Sequence, residues 1–60
     1  MRLLTTGDAA KRLELSTERV RQLDRAGVLP VILTAGGRRL YTEDDVENLR
    51  RQREEARRAQ

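Results

Sequence analysis

Glu18, Gln22 and Arg25 fall together on one side of a helical wheel turned at about 100° per residue, opposite Val20 and Leu23. Each carries a group that fits the edge of a base pair. The arginine fork suits guanine, the glutamine amide suits adenine, and a carboxylate accepts from the amino group of cytosine. Arg19 and Arg21 stand on the shoulders of that face, and Thr17 opens it. A second group lies at Gly37-Arg38-Arg39. There Gly36-Gly37 lets the backbone turn tightly, and the arginines that follow can reach a phosphate or a minor groove. A solvated helix and a solvated turn are the plain readings of both groups. The turn alone accounts for the glycines but leaves the two adjacent arginines unexplained.

Other chemistries are poorly served. The 60 residues include no His and no Cys, so the commonest general base, the commonest metal ligands and any disulfide framework are missing. Catalysis would rest on carboxylates and Lys11, and a non-enzymatic protein is expected, with no cofactor and no metal. The acidic trio Glu43-Asp44-Asp45 follows a helix cap and complements a helix dipole there. Lys plus Arg number 13 against 10 acidic residues, a net charge of +3, and all the cations but Lys11 are Arg. Arginine is the residue of choice for planar recognition of phosphates and base edges. One aromatic residue, Tyr41, offers no stacking platform for single-stranded RNA. There is no apolar run of membrane-spanning length and no signal-peptide pattern at the start, so a cytoplasmic, nucleoid-associated protein without membrane contact is expected.

The elements that must hold these groups are short. A chain of this length supports one domain, residues 1–60. Thr5 is a good N-cap with Asp8 three residues on, and Ala9, Ala10 and Leu13 recur at helical spacing, which predicts a first helix over 6–13. Ser16 caps a second over 17–26, with Val20, Leu23 and Ala26 inward and Gly27 at the left-handed exit. Two short helices joined by a tight turn make a helix-turn-helix. After Pro30, the β-branched run from Val31, the turn Ala35-Gly36-Gly37 and the return Arg38-Arg39-Leu40-Tyr41 predict a hairpin over 31–41. Alternation puts Arg39 and Tyr41 on one face and Arg38 and Leu40 on the other. Thr42, with Asp45 three residues on, starts a third helix over 43–58, whose end should fray because no large apolar residue follows Leu49. Its cations Arg50, Arg51, Arg53, Arg57 and Arg58 spread around the helix, with Glu47–Arg51, Arg50–Glu54, Arg51–Glu55 and Glu54–Arg58 at ion-pair spacing. That reads as a solvated, ion-paired helix, with contact to a neighbouring protomer as the alternative.

Three stretches, taken in order, resemble the MerR-type regulators and the phage excisionases. They are Leu4-Thr5-Thr6-Gly7-Asp8-Ala9-Ala10 with Leu15-Ser16-Thr17-Glu18-Arg19-Val20-Arg21, then Arg25-Ala26-Gly27-Val28-Leu29-Pro30, then Gly36-Gly37-Arg38-Arg39-Leu40-Tyr41-Thr42-Glu43-Asp44-Asp45-Val46. The resemblance implies a winged helix-turn-helix, mostly α with a small β-hairpin. Its second helix would enter the major groove of double-stranded DNA through Thr17, Glu18, Arg19, Arg21, Gln22 and Arg25, and its wing would grip the backbone through Arg38 and Arg39. Gln22 and Leu23 stand where full-length MerR regulators carry a tyrosine pair, and the sequence stops at Gln60 without their long dimerising helix. The single-domain relatives are the better match. The expected function is sequence-specific DNA binding as a small transcriptional regulator, with an excision factor that bends DNA as the alternative. A protein-interaction module without DNA binding is the alternative of another class. Self-association or cooperative binding on DNA follows from the small footprint of one domain, and a recombinase or RNA polymerase is the expected protein partner.

Overall fold

The computed structural model describes Arg2–Arg58; Met1, Ala59 and Gln60, at the ends of the expected 1–60 domain, lie outside the described residues. The order of elements is β1 (Leu3–Thr5), α1 (Thr6–Leu13), α2 (Thr17–Arg25), β2 (Ile32–Leu33), β3 (Arg39–Thr42) and α3 (Glu43–Arg58). Three helices and a small antiparallel sheet make the mostly helical winged arrangement.

Local hydrogen bonds explain where each helix begins. Thr5 Oγ1 accepts from the Asp8 N–H at 3.2 Å, Ser16 Oγ from the Arg19 N–H at 3.1 Å, and Thr42 Oγ1 from the Asp45 N–H at 3.1 Å. Each satisfies one of the amides a helix start leaves without a partner. The ends differ. At the end of α1, Glu14 takes the left-handed conformation at φ 57°, and the Leu15 N–H donates to the Ala10 carbonyl at 2.9 Å. This reverses the chain quickly enough for Ser16 to cap α2. At the end of α2, Gly27 has φ 77° and donates to the Asp24 carbonyl at 3.0 Å, while the Val28 N–H donates to the Leu23 carbonyl at 3.0 Å. That pair of bonds is a Schellman closure. It leaves Ala26 as the cap residue, so α2 stops one residue before the 17–26 span expected.

The sheet contains a strand the sequence did not announce. β3 is central, with β1 on one side and β2 on the other, both antiparallel. Leu4 lies opposite Tyr41 and both are buried, whereas Leu3, Thr5, Leu40 and Ile32 occupy the other face, where Leu3 and Ile32 are exposed. The hairpin strands are narrower than the 31–41 expected on the first side and extend to Thr42 on the second. Its tip is a three-residue loop. The Gly37 N–H donates to the Thr34 carbonyl at 2.9 Å and Thr34 N–H to the Arg38 carbonyl at 3.0 Å, with Gly37 alone at positive φ, 82°. This is a type I turn closed by a left-handed bulge residue.

The core is Leu4, Ala9, Ala10, Leu13, Val20, Leu23, Leu29, Tyr41, Val46 and Leu49. α1 packs against both α2 and α3, and its small Ala9 and Ala10 let the neighbouring helices come close. Tyr41 is wholly buried and anchors the wing to the helices. Charges reinforce the α1–α3 contact: Arg12 reaches Glu43 at 3.1 Å and Glu47 at 3.6 Å. Along α3, Arg50 bonds Glu47 at 3.1 Å and Glu54 at 3.5 Å, and Arg58 bonds Glu54 at 3.4 Å. Glu47 therefore turns to Arg50 and Arg12 and not to the expected Arg51, and no Arg51–Glu55 pair forms among the described residues. The hydrogen bond from Arg50, with the positive charges of Arg50 and Arg12, holds the Glu47 carboxyl below its ordinary 4.5 against the opposing effect of desolvation.

Candidate nucleic-acid interface

Val20 and Leu23 are buried, which turns the rest of α2 outward: Thr17, Glu18, Arg19, Arg21, Gln22 and Arg25 are all exposed. Arg21 and Arg25, one turn apart, face a cleft of about 420 Å³ whose other walls are Thr6 at the start of α1 and Gly37 and Arg39 of the wing. The helix-turn-helix and the wing thus meet at one surface. Among the described residues neither Arg21 nor Arg25 has an ion-pair partner, so the cleft presents uncompensated guanidinium groups.

The remaining expected residues, Thr17, Glu18, Arg19, Gln22 and Arg38, do not line this cleft. Glu18 and Thr17 are exposed in the first turn of α2. Arg19 Nη1 donates to Gln22 Oε1 at 3.0 Å, so the Gln22 amide oxygen is held by its neighbour along the helix. Arg38 is exposed at the wing tip, where its backbone N–H bonds Thr34 Oγ1 at 3.1 Å and its side chain makes no ion pair among the described residues. Arg39 is different: it is paired with Asp24 of α2. The Asp24 side chain is only 6% exposed, whereas the Arg39 side chain is 43% exposed. The Tyr41 hydroxyl donates to the same Asp24 oxygen at 3.5 Å. Arg39 and Tyr41 share the inner face of the wing, as alternation requires, and one carboxylate holds both.

Two residues here were not singled out from sequence. Asp24 flanks the inward side of the wheel, but its partners lie far along the chain and no local pattern marks the pairing. Thr6 stands beside its neighbour's cap, and only the fold brings it to the α2–wing cleft. A further absence concerns chemistry: among the described residues no group of His, Cys, Asp and Glu could hold a metal ion. No helix among them is long and apolar enough to cross a membrane.

Two helices in a tight turn, the second exposing a cationic face beside a β-hairpin wing, define a winged helix-turn-helix DNA-binding fold. The profile described as "MerR HTH family regulatory protein" matches residues 4–54, most of the chain, and the chain belongs to that family. It is a DNA-binding regulator in this broad sense, of a kind that is generally non-enzymatic. No curated protein matches it.

Proposed function

We propose that this protein is a small transcriptional regulator that binds double-stranded DNA at specific sequences. The observation that carries the reading is the shared cleft: unpaired Arg21 and Arg25 on α2 face Gly37 and Arg39 of the wing. α2 lies in the major groove, which admits an α-helix. Glu18, Gln22 and Arg25 read base edges, Gln22 exchanging its bond with Arg19 for one to a base. Thr17, Arg19 and Arg21 flank them toward the backbone. Gly37 lets the wing approach closely, and Arg38 takes a phosphate. Arg39, braced by Asp24, sets the distance between wing and helix and turns its exposed edge to the DNA. Thr6, at the amino end of α1, meets a phosphate where helix amides favour an anion.

One copy spans few base pairs, so specificity arises from two or more copies bound cooperatively. The regulatory description of the matched family favours a role at promoters over excision. The test has two parts. Selection from a random duplex pool should return an enriched motif, and a genome-wide footprint should place it at promoters. Enrichment at phage attachment loci would instead assign an excision function. Failure to enrich any motif, with binding indifferent to salt, would overturn the reading and favour a protein-interaction module.

A further inference from the structure

A second groove, of about 260 Å³, lies between the last turn of α1 and the second half of α3. Lys11, Arg53 and Arg57 line it, and none of the three makes an ion pair among the described residues. Arg12 and Arg50 complete its cations but are already held by Glu43, Glu47 and Glu54. The carboxylates in the lining are Glu14 and Glu54, and with the ion-paired groups set aside, three unpaired cations face one unpaired carboxylate, Glu14, among the described residues. Leu13 lies beneath them as a buried core residue, only 6% exposed.

This groove shares no lining residue with the α2–wing cleft. Thr6, in the α2–wing cleft, and Leu13, in this groove, are seven residues apart on α1, about 10 Å at 1.5 Å per residue. A phosphate track is also a poor match, because its evenly spaced charges would meet Glu14 and Glu54 among the cations, whereas a peptide can place neutral residues opposite them. The volume falls short of the roughly 300–1,000 Å³ of pockets that enclose a small-molecule ligand. What fits is a surface contact that brings a few carboxylates.

We propose that the α1–α3 groove docks an acidic peptide segment of a partner protein, its carboxylates on Lys11, Arg53 and Arg57. The groove's position leaves α2 and the wing free, so the partner is held while DNA is bound. Glu14 and Glu54 repel ligand carboxylates from their own positions and so fix the register of the segment.

The test uses the full chain and a fluorescein-labelled peptide in which Asp and Glu alternate with neutral Ser, read by fluorescence anisotropy with and without duplex DNA. The wild-type protein should bind it in both conditions. The double variant K11E/R57E should bind at least about ten-fold more weakly, because like charges then face each other. R21A/R25A should bind the peptide normally while losing DNA affinity. Glu14→Gln should tighten peptide binding by about three-fold, the scale of one exposed charge contact, a gain that a misfolded variant cannot produce. The proposal is overturned if the wild-type protein does not bind the peptide, if K11E/R57E binds it equally well, or if Glu14→Gln has no effect. It is also overturned if K11E/R57E loses DNA as severely as peptide, which would place the phosphate backbone in the groove.

Discussion

Asp24 holds the wing to α2 through one carboxylate, with Arg39 and Tyr41 as its donors. Asp24→Ala leaves a half-exposed guanidinium and a buried hydroxyl without their acceptor. The expected loss is about 1–3 kcal/mol. For a domain of this size each kcal/mol lowers Tm by about 4–8 °C, measurable by thermal denaturation. The same variant should weaken binding to every DNA sequence, because the wing loses its brace. Tyr41→Phe breaks only the longer contact, at 3.5 Å, and should cost no more than about 1 kcal/mol. Other exposed side chains of α2 carry the proposed base contacts. Arg25→Ala or Gln22→Ala should change which sequences are preferred, at about 1–3 kcal/mol for a lost base contact, as a binding-site selection would show. The outward face of α2 was legible because Val20 and Leu23 fix the helix rotation by themselves. The Asp24–Arg39 pair was not, because it depends on how the hairpin folds back over α2.

Three turns close on left-handed residues, Glu14, Gly27 and Gly37, and only the first lacks glycine. Gly37 closes the wing tip at φ 82°, whereas neighbouring Gly36 is not at positive φ and its nearest obstacle to a methyl group is Thr34 Oγ1 at 3.9 Å. Gly36→Ala should therefore be neutral or stabilise by about 0.4–1 kcal/mol, while Gly37→Ala should cost about 1–2 kcal/mol. Equal effects of the two in a denaturation titration would contradict the turn geometry. Glu14 carries the converse signal: a side chain at φ 57° ends α1 where glycine would be at ease. Glu14→Gly should raise stability by up to about 1 kcal/mol. Glu47 adds a pH dependence to the α1–α3 contact. Its folded-state pKa is depressed by Arg50 and Arg12, so its contribution is present above the ordinary 4.5 and disappears as pH falls through the lower folded value. Glu47→Gln should flatten the acid limb of the stability profile between the ordinary 4.5 and the lower folded value. The helix starts were readable because a cap and its amide lie three residues apart. β1 was not, because Leu3-Leu4-Thr5 is too short to show alternation and its partner Tyr41 lies near the other end of the fold. The exit at Glu14 was likewise hidden, since nothing in that residue type favours positive φ.

At the scale of the whole molecule, charge placement matters more than the total of +3. Log affinity for DNA should fall with log salt at a slope of about −0.9 per phosphate neutralised. Removing Arg38 should make that slope shallower by about one phosphate without moving sequence preference, a titration that separates backbone contact from base contact. The order of strands has a mechanical result as well. β3 has a neighbour on each flank, so the hairpin is clamped into the body of the protein by the amino-terminal segment and does not hang free from α2. The Glu43 amide, bonded to the Arg2 carbonyl, fastens the same segment to the start of α3. Anything fused directly ahead of Leu3, such as a purification tag, pulls on the strand that aims the wing, and affinity for DNA would shift although the tag itself stays clear of the duplex.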